Sequence, residues 1–255
     1  MKKKSKKIAL ITGAAKRLGE SIATKMALEG WDIIVHYNNS KIEAQNTVKK
    51  IKSLGQRAVS LRCDLSKENE TKNLISKASK FFGKISCLVN NASVFNFDDC
   101  SNFSIKNLNK HMIPNLASPI LLTNDLHKML NKNENATVIN ILDQKLFNLN
   151  QDFLSYTLSK AALNTATLML ARELAPKLRV VGVAPGLTLL SGNQTEKGFI
   201  KAHRKTPLGK SSTAEEIAES VCFLASARAI TGIVLIVDGG QHLIPTKRDI
   251  MFSSE

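Results

Sequence analysis

The sequence lacks any long run of apolar residues. Across its 255 residues no stretch approaches the roughly 18 apolar residues that suggest a membrane-spanning helix. The basic start, residues 1–7, is followed by an apolar stretch, Ile8–Ile11, that is too short for the core of a secretory signal. We therefore predict a cytoplasmic protein with no membrane partner, in which residues 1–6 form a flexible basic terminus.

Cysteine is scarce and scattered. The four cysteines are Cys63, Cys87, Cys100 and Cys222, with no C-x-x-C pair and no cluster of cysteine and histidine. This spacing offers neither a disulfide framework nor a set of metal ligands. We interpret the four side chains as small buried or half-exposed apolar groups and predict no metal site.

Acidic residues are few relative to basic ones, 21 against 36, and the formal net charge is +15. Such a charge raises the possibility of a nucleic-acid partner. However, lysine supplies 28 of the 36 basic residues, and no basic stripe is interleaved with aromatic residues. We interpret the charge as a solvated lysine-rich surface and expect no nucleic acid. A nucleic-acid-binding protein stays open as an alternative.

Apolar runs of strand length alternate with segments of helical periodicity almost throughout. The predicted strands are Lys7–Ile11, Asp32–His36, Ala58–Leu61, Ser86–Val89, Thr137–Leu142, Arg179–Ala184 and Ile233–Val237. The predicted helices are Arg17–Glu29, Ile42–Leu54, Lys67–Phe82, Ile105–Leu130 (disturbed near Pro114 and Pro119), Phe153–Leu174 and Thr213–Leu224. This alternation predicts an α/β fold, a Rossmann-type doubly wound sheet of about seven parallel strands with helices on both faces.

No repeat, low-complexity linker or composition shift divides the chain, so residues 1–255 are predicted to form a single domain. Residues 187–210 differ from the rest of the chain in composition and pattern, because they are polar, contain glycine and show weak periodicity. A segment of this kind after a strand end is well placed to be a substrate-binding loop or lid.

The first predicted strand runs directly into the sequence TGAAKRLG, residues 12–19. Small residues at such a turn let the backbone approach a pyrophosphate, and the following helix points its amino end at the anion. The turn therefore predicts a dinucleotide site that includes Gly13, Arg17, Leu18 and Gly19.

The second predicted strand ends in HYNNS, residues 36–40, without the acidic residue that bonds the ribose hydroxyls in NAD sites. A carboxylate there would repel the 2′-phosphate of NADP, so its absence favours NADP, with His36, Asn38, Ser40 and Arg17 around the adenosine ribose. After the third strand, Asp64 and Leu65 are predicted to line the adenine site. Asp64 either accepts a hydrogen bond from the adenine amine or caps the next helix.

Tyr156 and Lys160 lie four residues apart in a predicted helix and therefore share one face. An ammonium group beside a phenol stabilises the phenolate and lowers the phenol pKa. This pair predicts a tyrosine that acts as general acid near neutral pH.

Together these motifs resemble the short-chain dehydrogenase/reductase family over nearly the whole chain. The matching residues are Thr12-Gly13…Gly19, Asn90-Asn91-Ala92, Asn115, Tyr156-x-x-x-Lys160, Pro185-Gly186 and Asp238-Gly239-Gly240. The resemblance implies that Tyr156 is the proton donor, that Lys160 binds the nicotinamide ribose and that Asn115 holds a proton-relay water. It also implies that Asn91 and Ala92 line the cofactor and that Pro185 and Gly186 frame the nicotinamide. Family members are typically tetramers, which makes a homotetramer the expected assembly.

Two departures from the family pattern are informative. Arg17 stands where most members have glycine, and Asp143 follows the fifth strand where most have a catalytic serine. Both look like the pteridine reductase branch, which includes the bacterial dihydromonapterin reductases. That resemblance implies a substrate site formed by Ser93, Phe95, Asp143, Tyr156 and Leu187, with Phe95 stacked on the pterin and Ser93 touching both cofactor and substrate. Two alternatives stay open, that Phe95 only packs in the fold and that Asp143 only bonds backbone amides of its loop.

The sequence therefore predicts an oxidoreductase that transfers a hydride from NADPH to a pterin-type C=N bond. The substrate would be a small molecule, a dihydropterin or a dihydrofolate-like compound, with Tyr156 and Asp143 supplying the proton. The first alternative is a carbonyl reductase of the same family, such as a 3-oxoacyl-carrier-protein reductase. The second is a non-catalytic protein that binds NADP or a nucleic acid.

Overall fold

The computed structural model describes residues 7–190 and 194–252. It contains one sheet of seven parallel strands in the order β3-β2-β1-β4-β5-β6-β7, with helices on both faces. The predicted doubly wound α/β fold is thus confirmed. The strands are β1 (Ile8–Ile11), β2 (Asp32–Tyr37), β3 (Ala58–Arg62), β4 (Cys87–Asn90), β5 (Ala136–Ile141), β6 (Leu178–Pro185) and β7 (Val234–Val237). All seven lie where the apolar runs predicted them, with ends that differ by one residue.

The sheet is apolar because side chains on both of its faces are buried. Along β1, Ala9 and Ile11 belong to the core on one face, whereas Ile8 and Leu10 belong to the core on the other. This alternation follows from the period of two in a strand and explains why β1 is apolar along its whole length.

Nine α-helical segments lie within the described residues. They are α1 (Arg17–Leu28), α2 (Lys41–Ser53), α3 (Glu68–Thr71), α4 (Leu74–Phe82), α5 (Ile105–Met112), α6 (Ser118–Met129), α7 (Leu154–Glu173), α8 (Glu196–Arg204) and α9 (Ala214–Ser226). In this part of the chain, no helix combines the length and the apolar character needed to cross a membrane.

The prediction of one helix over Lys67–Phe82 is wrong, because α3 ends at Thr71 and α4 begins at Leu74. Two side chains compete with the backbone at this point. The Asn73 side chain donates to the Asn69 carbonyl (2.7 Å), and the Thr71 hydroxyl donates to the Lys67 carbonyl (3.1 Å). Such local bonds interrupt the regular ladder of a helix.

The disturbance expected near Pro114 is a π-helical turn, Ile113–Ala117, between α5 and α6. Proline has no amide proton to donate, so a regular turn loses a bond here. Turns of this type often occur at functional sites. Asn115, one of the residues implied in catalysis, lies in the centre of this turn and is buried. Pro119, in contrast, is the second residue of α6 and does not disturb it.

Helix α8 lies within residues 187–210, the weakly periodic segment that is predicted to be a substrate-binding loop or lid. The Thr195 hydroxyl caps this helix by accepting a bond from the Gly198 amide (3.1 Å). The helix carries four charged side chains among its nine residues and buries only Gly198 and Ala202, which explains its weak apolar pattern. Residues 191–193 of this segment, and the basic terminus predicted at residues 1–6, lie outside the described residues.

Candidate active site

A long cleft crosses the carboxyl ends of the central strands. It consists of two cavities of about 490 and 520 Å³ that share Gly13, Ala92 and Ser93 in their walls. One cavity contains Tyr156, Lys160 and the strand ends of β5 and β6, and we call it the reaction cavity. The other contains His36, Asn38, Asp64 and Leu65, and we call it the distal cavity. Ligands of doubly wound sheets bind in this position.

The turn between β1 and α1 forms the floor where the two cavities meet. Gly13 has a φ of +62°, a left-handed conformation that favours glycine. A Cβ atom at Gly19 would lie 2.2 Å from the Gly13 carbonyl oxygen, so α1 packs on the turn more closely than any other residue allows. Gly13, Arg17, Leu18 and Gly19 all line the reaction cavity, as the sequence predicts for a phosphate turn.

Asn91 and Ala92 hold this turn from β4. The Asn91 side-chain amide donates to the carbonyls of Thr12 (2.9 Å) and Gly13 (3.2 Å). The Ala92 amide donates to the Thr12 hydroxyl (3.0 Å). The Asn91 side chain therefore fixes the shape of the turn.

His36 supports the turn from below. Its Nδ1 accepts a bond from the Gly13 amide (3.0 Å), and its Nε2 lies 3.0 Å from the Cys63 carbonyl. Only a neutral ring with the proton on Nε2 makes both bonds. Burial lowers the pKa of His36 to about 4, which keeps the ring neutral. The His36 ring thus connects the end of β2 to the turn and to the residue that follows β3.

Arg17 occupies the left-handed region with a φ of +56°, which costs a residue with a Cβ about 1–2 kcal/mol. Its guanidinium donates to the carbonyl of Leu190 (2.8 Å), a residue of the segment predicted as a substrate-binding loop or lid. Arg17 lines the reaction cavity that contains Tyr156, whereas the sequence analysis placed it at the adenosine ribose.

In the distal cavity, Asn38, Asp64 and Leu65 line the wall as expected. Ser40 is at the N-cap position of α2 and does not belong to this wall. One carboxylate oxygen of Asp64 accepts bonds from the amide (2.9 Å) and the hydroxyl (2.7 Å) of Ser66. These bonds form a local turn and do not cap α3, whose N-cap residue is Lys67, and the bond to the adenine amine stays a prediction. Lys106 and Lys110, which sequence reasoning missed, also line the cavity. Their spacing of four residues on α5 puts them on one face, a signal that the sequence contained.

The central contact of the reaction cavity joins Tyr156 to Asp143. The Tyr156 hydroxyl donates to Asp143 Oδ2 (2.7 Å), and Asp143 Oδ1 accepts a bond from the Lys145 amide (2.8 Å). The Lys160 ammonium donates to the Ile141 carbonyl (2.6 Å) and lies 5.8 Å from the centre of the Tyr156 ring. Helix α7 and the end of β5 thus bring together the three residues that the sequence analysis singled out.

The electrostatics of this group correct one sequence-based prediction. Burial, reinforced by the neighbouring Asp143, raises the pKa of Tyr156 well above its usual range, whereas the sequence predicted a lowered pKa. Burial lowers the pKa of Lys160 to about 8 and raises the pKa of Asp143. The direct hydrogen bond to a carboxyl outweighs the more distant ammonium, so Tyr156 holds its proton firmly at neutral pH.

Asn115 joins the loop after β4 to α7. Its side-chain amide donates to the Val94 carbonyl (2.9 Å) and the Ser159 hydroxyl (3.0 Å). Its oxygen accepts bonds from the Val94 amide (2.7 Å) and the Ser93 hydroxyl (3.3 Å). Asn115 therefore orients Ser93 and the loop of Phe95, and the implied relay water remains a prediction.

Aromatic rings form one wall of the reaction cavity. Phe95 is 39% exposed and stacks on Phe153 with ring centres 4.2 Å apart. Its ring also meets Tyr156 edge to face at 4.7 Å. Phe95 thus packs against its neighbours and still exposes surface to the cavity, and its stacking on a substrate stays a prediction.

The opposite wall contains predicted and unpredicted residues. Pro185, Gly186 and Leu187 line it at the end of β6, and the Leu187 amide donates to Gln241 Oε1 (2.9 Å). Residues that sequence reasoning missed also line the cavity, namely Lys16, Gln144, Lys145, Asp249 and Met251. The last two come from the C-terminal end of the chain, where no motif points to the cleft.

Comparison with known proteins gives consistent matches over almost the entire chain. The family model described as enoyl-(acyl carrier protein) reductase matches residues 13–242. The chain is 35% identical to the FolM alternative dihydrofolate reductase 1 of Brucella canis, a structure complexed with NADP, with a TM-score of 0.88 over 96% of this chain and 97% of that one. It is 28% identical to a short chain dehydrogenase of Burkholderia cenocepacia in complex with NADP, with a TM-score of 0.86 over 92% and 97% of the two chains.

A curated relative extends the comparison to another activity. The chain is 30% identical to the 2-dehydro-3-deoxy-D-gluconate 5-dehydrogenase of Dickeya dadantii, over 92% of this chain and 94% of that one. The cleft, the Tyr156–Lys160 pair and these matches agree, and the chain belongs to the short-chain dehydrogenase/reductase family.

Proposed function

We propose that the protein is an NADPH-dependent reductase that transfers a hydride to a C=N bond of a pterin-type substrate, a dihydropterin or a dihydrofolate-like compound. The hydrogen bond between Tyr156 and Asp143 is the observation that carries this proposal. A serine beside the tyrosine suits a carbonyl oxygen, which needs two hydrogen-bond donors. A carboxyl beside the tyrosine suits a ring nitrogen that must gain a proton.

The residues of the cleft fit NADP. The left-handed Gly13 and the packing of Gly19 open the turn to a pyrophosphate, and residues 36–40 place no carboxylate near a 2′-phosphate. Six cationic side chains line the two cavities, namely Lys16, Arg17, Lys106, Lys110, Lys145 and Lys160. When bound, the reduced cofactor would supply the hydride. Gly13, Arg17, Leu18, Gly19, Asn91, Ala92, Ser93, Pro185 and Gly186 would hold it along the turn and strand ends. His36, Asn38, Ser40, Asp64 and Leu65 would hold or support it at the adenosine side.

The proton would move along the Tyr156–Asp143 contact. Tyr156 Oη gives its proton to the ring nitrogen while the neighbouring carbon gains the hydride. Asp143, whose raised pKa favours the protonated form, then returns a proton from Oδ2 to Tyr156 Oη. Lys160, held on the Ile141 carbonyl, adds positive charge beside the phenol as that proton leaves. Without a protonated Asp143, the reaction would leave two negative charges side by side, so we expect catalysis to weaken as rising pH ionises this carboxyl.

The substrate would lie in the reaction cavity against Phe95, with Ser93, Arg17 and Leu187 around it. Arg17 supports this placement because its strained backbone turns the side chain into the cavity, at a position where glycine would cost nothing. The similarity to the alternative dihydrofolate reductase of Brucella canis supports the same substrate class.

A second candidate is the reduction or oxidation of a small carbonyl or alcohol substrate. The relative described as a 2-dehydro-3-deoxy-D-gluconate 5-dehydrogenase favours it. Within the described residues, the partner of the Tyr156 hydroxyl is Asp143 and not a serine hydroxyl, which weighs against this candidate because the second oxygen donor is then missing.

The deciding experiment follows NADPH oxidation at 340 nm with a panel of substrates. Dihydrobiopterin, dihydromonapterin and dihydrofolate are compared with ketones, keto-sugar acids and acyl thioesters. We expect turnover with at least one of the pterins or folates at a kcat/KM above that of every carbonyl compound. Oxidation of NADPH by carbonyl compounds alone would overturn the pterin assignment and leave the reductase intact.

A further inference from the structure

The C-terminal segment, residues 248–252, lies against the loop that carries Asp143. The Arg248 guanidinium binds both carboxylate oxygens of the buried Asp152 (3.0 and 2.9 Å), and the Asp249 amide donates to the same carboxylate (2.6 Å). Phe252 stacks on Phe153, which precedes α7, with ring centres 6.0 Å apart. The segment is therefore anchored at both ends, and Asp249 and Met251 between the anchors line the reaction cavity.

A buried ion pair connects this segment to the catalytic loop. The Lys145 side chain is 2% exposed, and its ammonium binds Asp249 Oδ2 (2.8 Å) and the Asn150 side-chain oxygen. The backbone amide of Lys145 donates to Asp143 Oδ1. Lys145 thus contacts Asp143 through its amide and the C-terminal segment through its side chain.

Such a pair has a cost, because removing two charges from water is unfavourable and is only recovered by good geometry. A buried pair is therefore weak evidence for stability. Its position beside Asp143 suggests another role, which is to fix the carboxyl that bonds Tyr156.

Four polar or charged groups face Asp143 within the described residues. Tyr156 and Lys160 approach from α7, Asp249 from the C-terminal segment, and Lys145 from the turn that follows Asp143. Of these, the Asp249 charge raises the pKa of Asp143 and the Lys160 charge lowers it. Because Lys145 and Asp249 neutralise each other, removing either one alone changes the net charge beside Asp143.

We propose that the Lys145–Asp249 pair is a positioning device for Asp143, through which the C-terminal segment holds this carboxyl on the Tyr156 hydroxyl and balances the charge around it. Both residues act through Asp143 and are positioning residues for the proposed proton transfer. The geometric part of the proposal does not depend on the identity of the substrate.

The test uses Tyr156 as a reporter in the full-length protein, without substrate. The chain has two tyrosines, so labelling tyrosine with ¹³C at Cζ gives two resonances, and a Tyr37→Phe variant assigns the Tyr156 signal. Because the Tyr156 hydroxyl donates to Asp143, its Cζ shift responds when Asp143 gains or loses a proton. Asp143→Asn identifies this transition by removing it.

Two substitutions are expected to move the transition in opposite directions. Asp249→Asn removes a negative charge and leaves the Lys145 ammonium, so the midpoint falls by about half a pH unit or more. Lys145→Met leaves the Asp249 carboxylate unpaired, so the midpoint rises by a similar amount. The double variant Lys145→Met/Asp249→Asn is neutral again and returns the midpoint close to that of the wild type.

A surface ion pair gives the matched control. Lys84 and Glu134 lie 2.6 Å apart before β4 and β5, at the opposite edge of the sheet from the cleft. Lys84→Met and Glu134→Gln remove the same charges and are expected to leave the midpoint unchanged. Circular dichroism confirms that each variant is folded before it is titrated.

The proposal is overturned if both single variants leave the midpoint unchanged. It is also overturned if both variants move the midpoint in the same direction, which is the result expected if each of them only detaches residues 248–252 from the loop. A kinetic arm uses whichever substrate the NADPH panel identifies. There, Asp249→Asn is expected to lower kcat at least fivefold at alkaline pH, with an unchanged dissociation constant for NADPH. A failed pterin assignment would leave the substrate-free titration valid, so the two proposals fail independently.

Discussion

The phenol of Tyr156 lies between an ammonium and a carboxyl, and the carboxyl has the stronger effect on it. Asp143 accepts its proton directly at 2.7 Å, whereas Lys160 lies 5.8 Å from the ring centre. A spacing of four residues in the sequence indicates the lysine, but it does not show the burial of the phenol or its bond to the carboxyl thirteen residues upstream, which together raise the pKa of Tyr156. The protonation states of Tyr156 and Asp143 are therefore coupled, and the two groups titrate as a pair.

Replacing Asp143 by serine tests its proposed role most directly. We expect Asp143→Ser to lower kcat for pterin reduction about 100-fold or more. In this variant no carboxyl returns a proton to Tyr156 after Tyr156 has protonated the substrate. NADPH affinity, measured by fluorescence titration, should change less than about twofold, since Asp143 is proposed to act on the proton path.

Asp125→Ser is the matched control for this substitution, because Asp125 is on α6 and does not line either cavity. It should retain pterin turnover. Unchanged pterin turnover in Asp143→Ser would contradict the proposed mechanism.

His36 makes the stability of the fold depend on pH. Its pKa is about 4 in the folded protein and about 6.5 in an unfolded chain, so the unfolded state binds the extra proton first. The contribution of the neutral ring is therefore complete above pH 6.5 and is lost as the pH falls from 6.5 to 4. For a shift of this size the loss is about 3 kcal/mol.

We expect urea denaturation to show this loss in the wild type and not in His36→Gln, whose amide oxygen can still accept the bond from Gly13. The difference in the free energy of unfolding between the two proteins should shrink as the pH falls from 6.5 to 4. A difference that stays constant over this range would show that His36 does not titrate as described.

At the scale of secondary-structure elements, the unit β1–turn–α1 depends on a close approach of helix and turn. The Cβ of an alanine at Gly19 would lie 2.2 Å from the Gly13 carbonyl oxygen and 2.7 Å from the Asn91 side chain, so α1 or the turn must move. The same turn is proposed to hold the pyrophosphate, which couples packing to cofactor binding.

Gly19→Ala should therefore destabilise the fold by about 1–3 kcal/mol and weaken NADPH binding by at least tenfold. Thermal melting and a fluorescence titration with NADPH measure the two effects. Gly30→Ala is the control, because Gly30 also has a positive φ (+84°) but has no neighbour within 4 Å of a Cβ. It should cost about 1 kcal/mol and leave NADPH affinity unchanged. Normal NADPH affinity in Gly19→Ala would contradict the proposal that this turn holds the cofactor.

At the scale of the molecule, α7 has apolar side chains on its outer surface. Leu158, Leu168 and Met169 are 46%, 48% and 65% exposed in the single chain. Exposed apolar groups on one element indicate an interaction surface, and we predict that α7 lies in the interface of the expected homotetramer.

Met169→Glu should shift the assembly to smaller species in sedimentation velocity, because it places a charge in that interface. Leu28→Glu, at an apolar residue on α1 that is 63% exposed, should leave the assembly unchanged. A wild-type protein that sediments as a single chain of 27.9 kDa would contradict the prediction.

The sequence by itself determined the seven strands, the phosphate turn and the pairing of Tyr156 with Lys160 on one helix. These features depend on local patterns, such as apolar runs, glycine in a turn and a spacing of four residues, which the backbone geometry converts directly into structure. The break after Thr71 and the helix α8 were missed, because side-chain bonds and a mostly exposed charged helix leave little trace in apolar periodicity.

Only the tertiary structure decided which residues surround the reacting atoms. It placed Arg17 in the reaction cavity, raised the pKa of Tyr156 and brought Asp249 from the C-terminal segment to Lys145. Lys145 and Asp249 are separated by more than one hundred residues and carry no shared motif. Burial, charge and distance act between residues that the fold brings together, and a local sequence pattern contains no information about them.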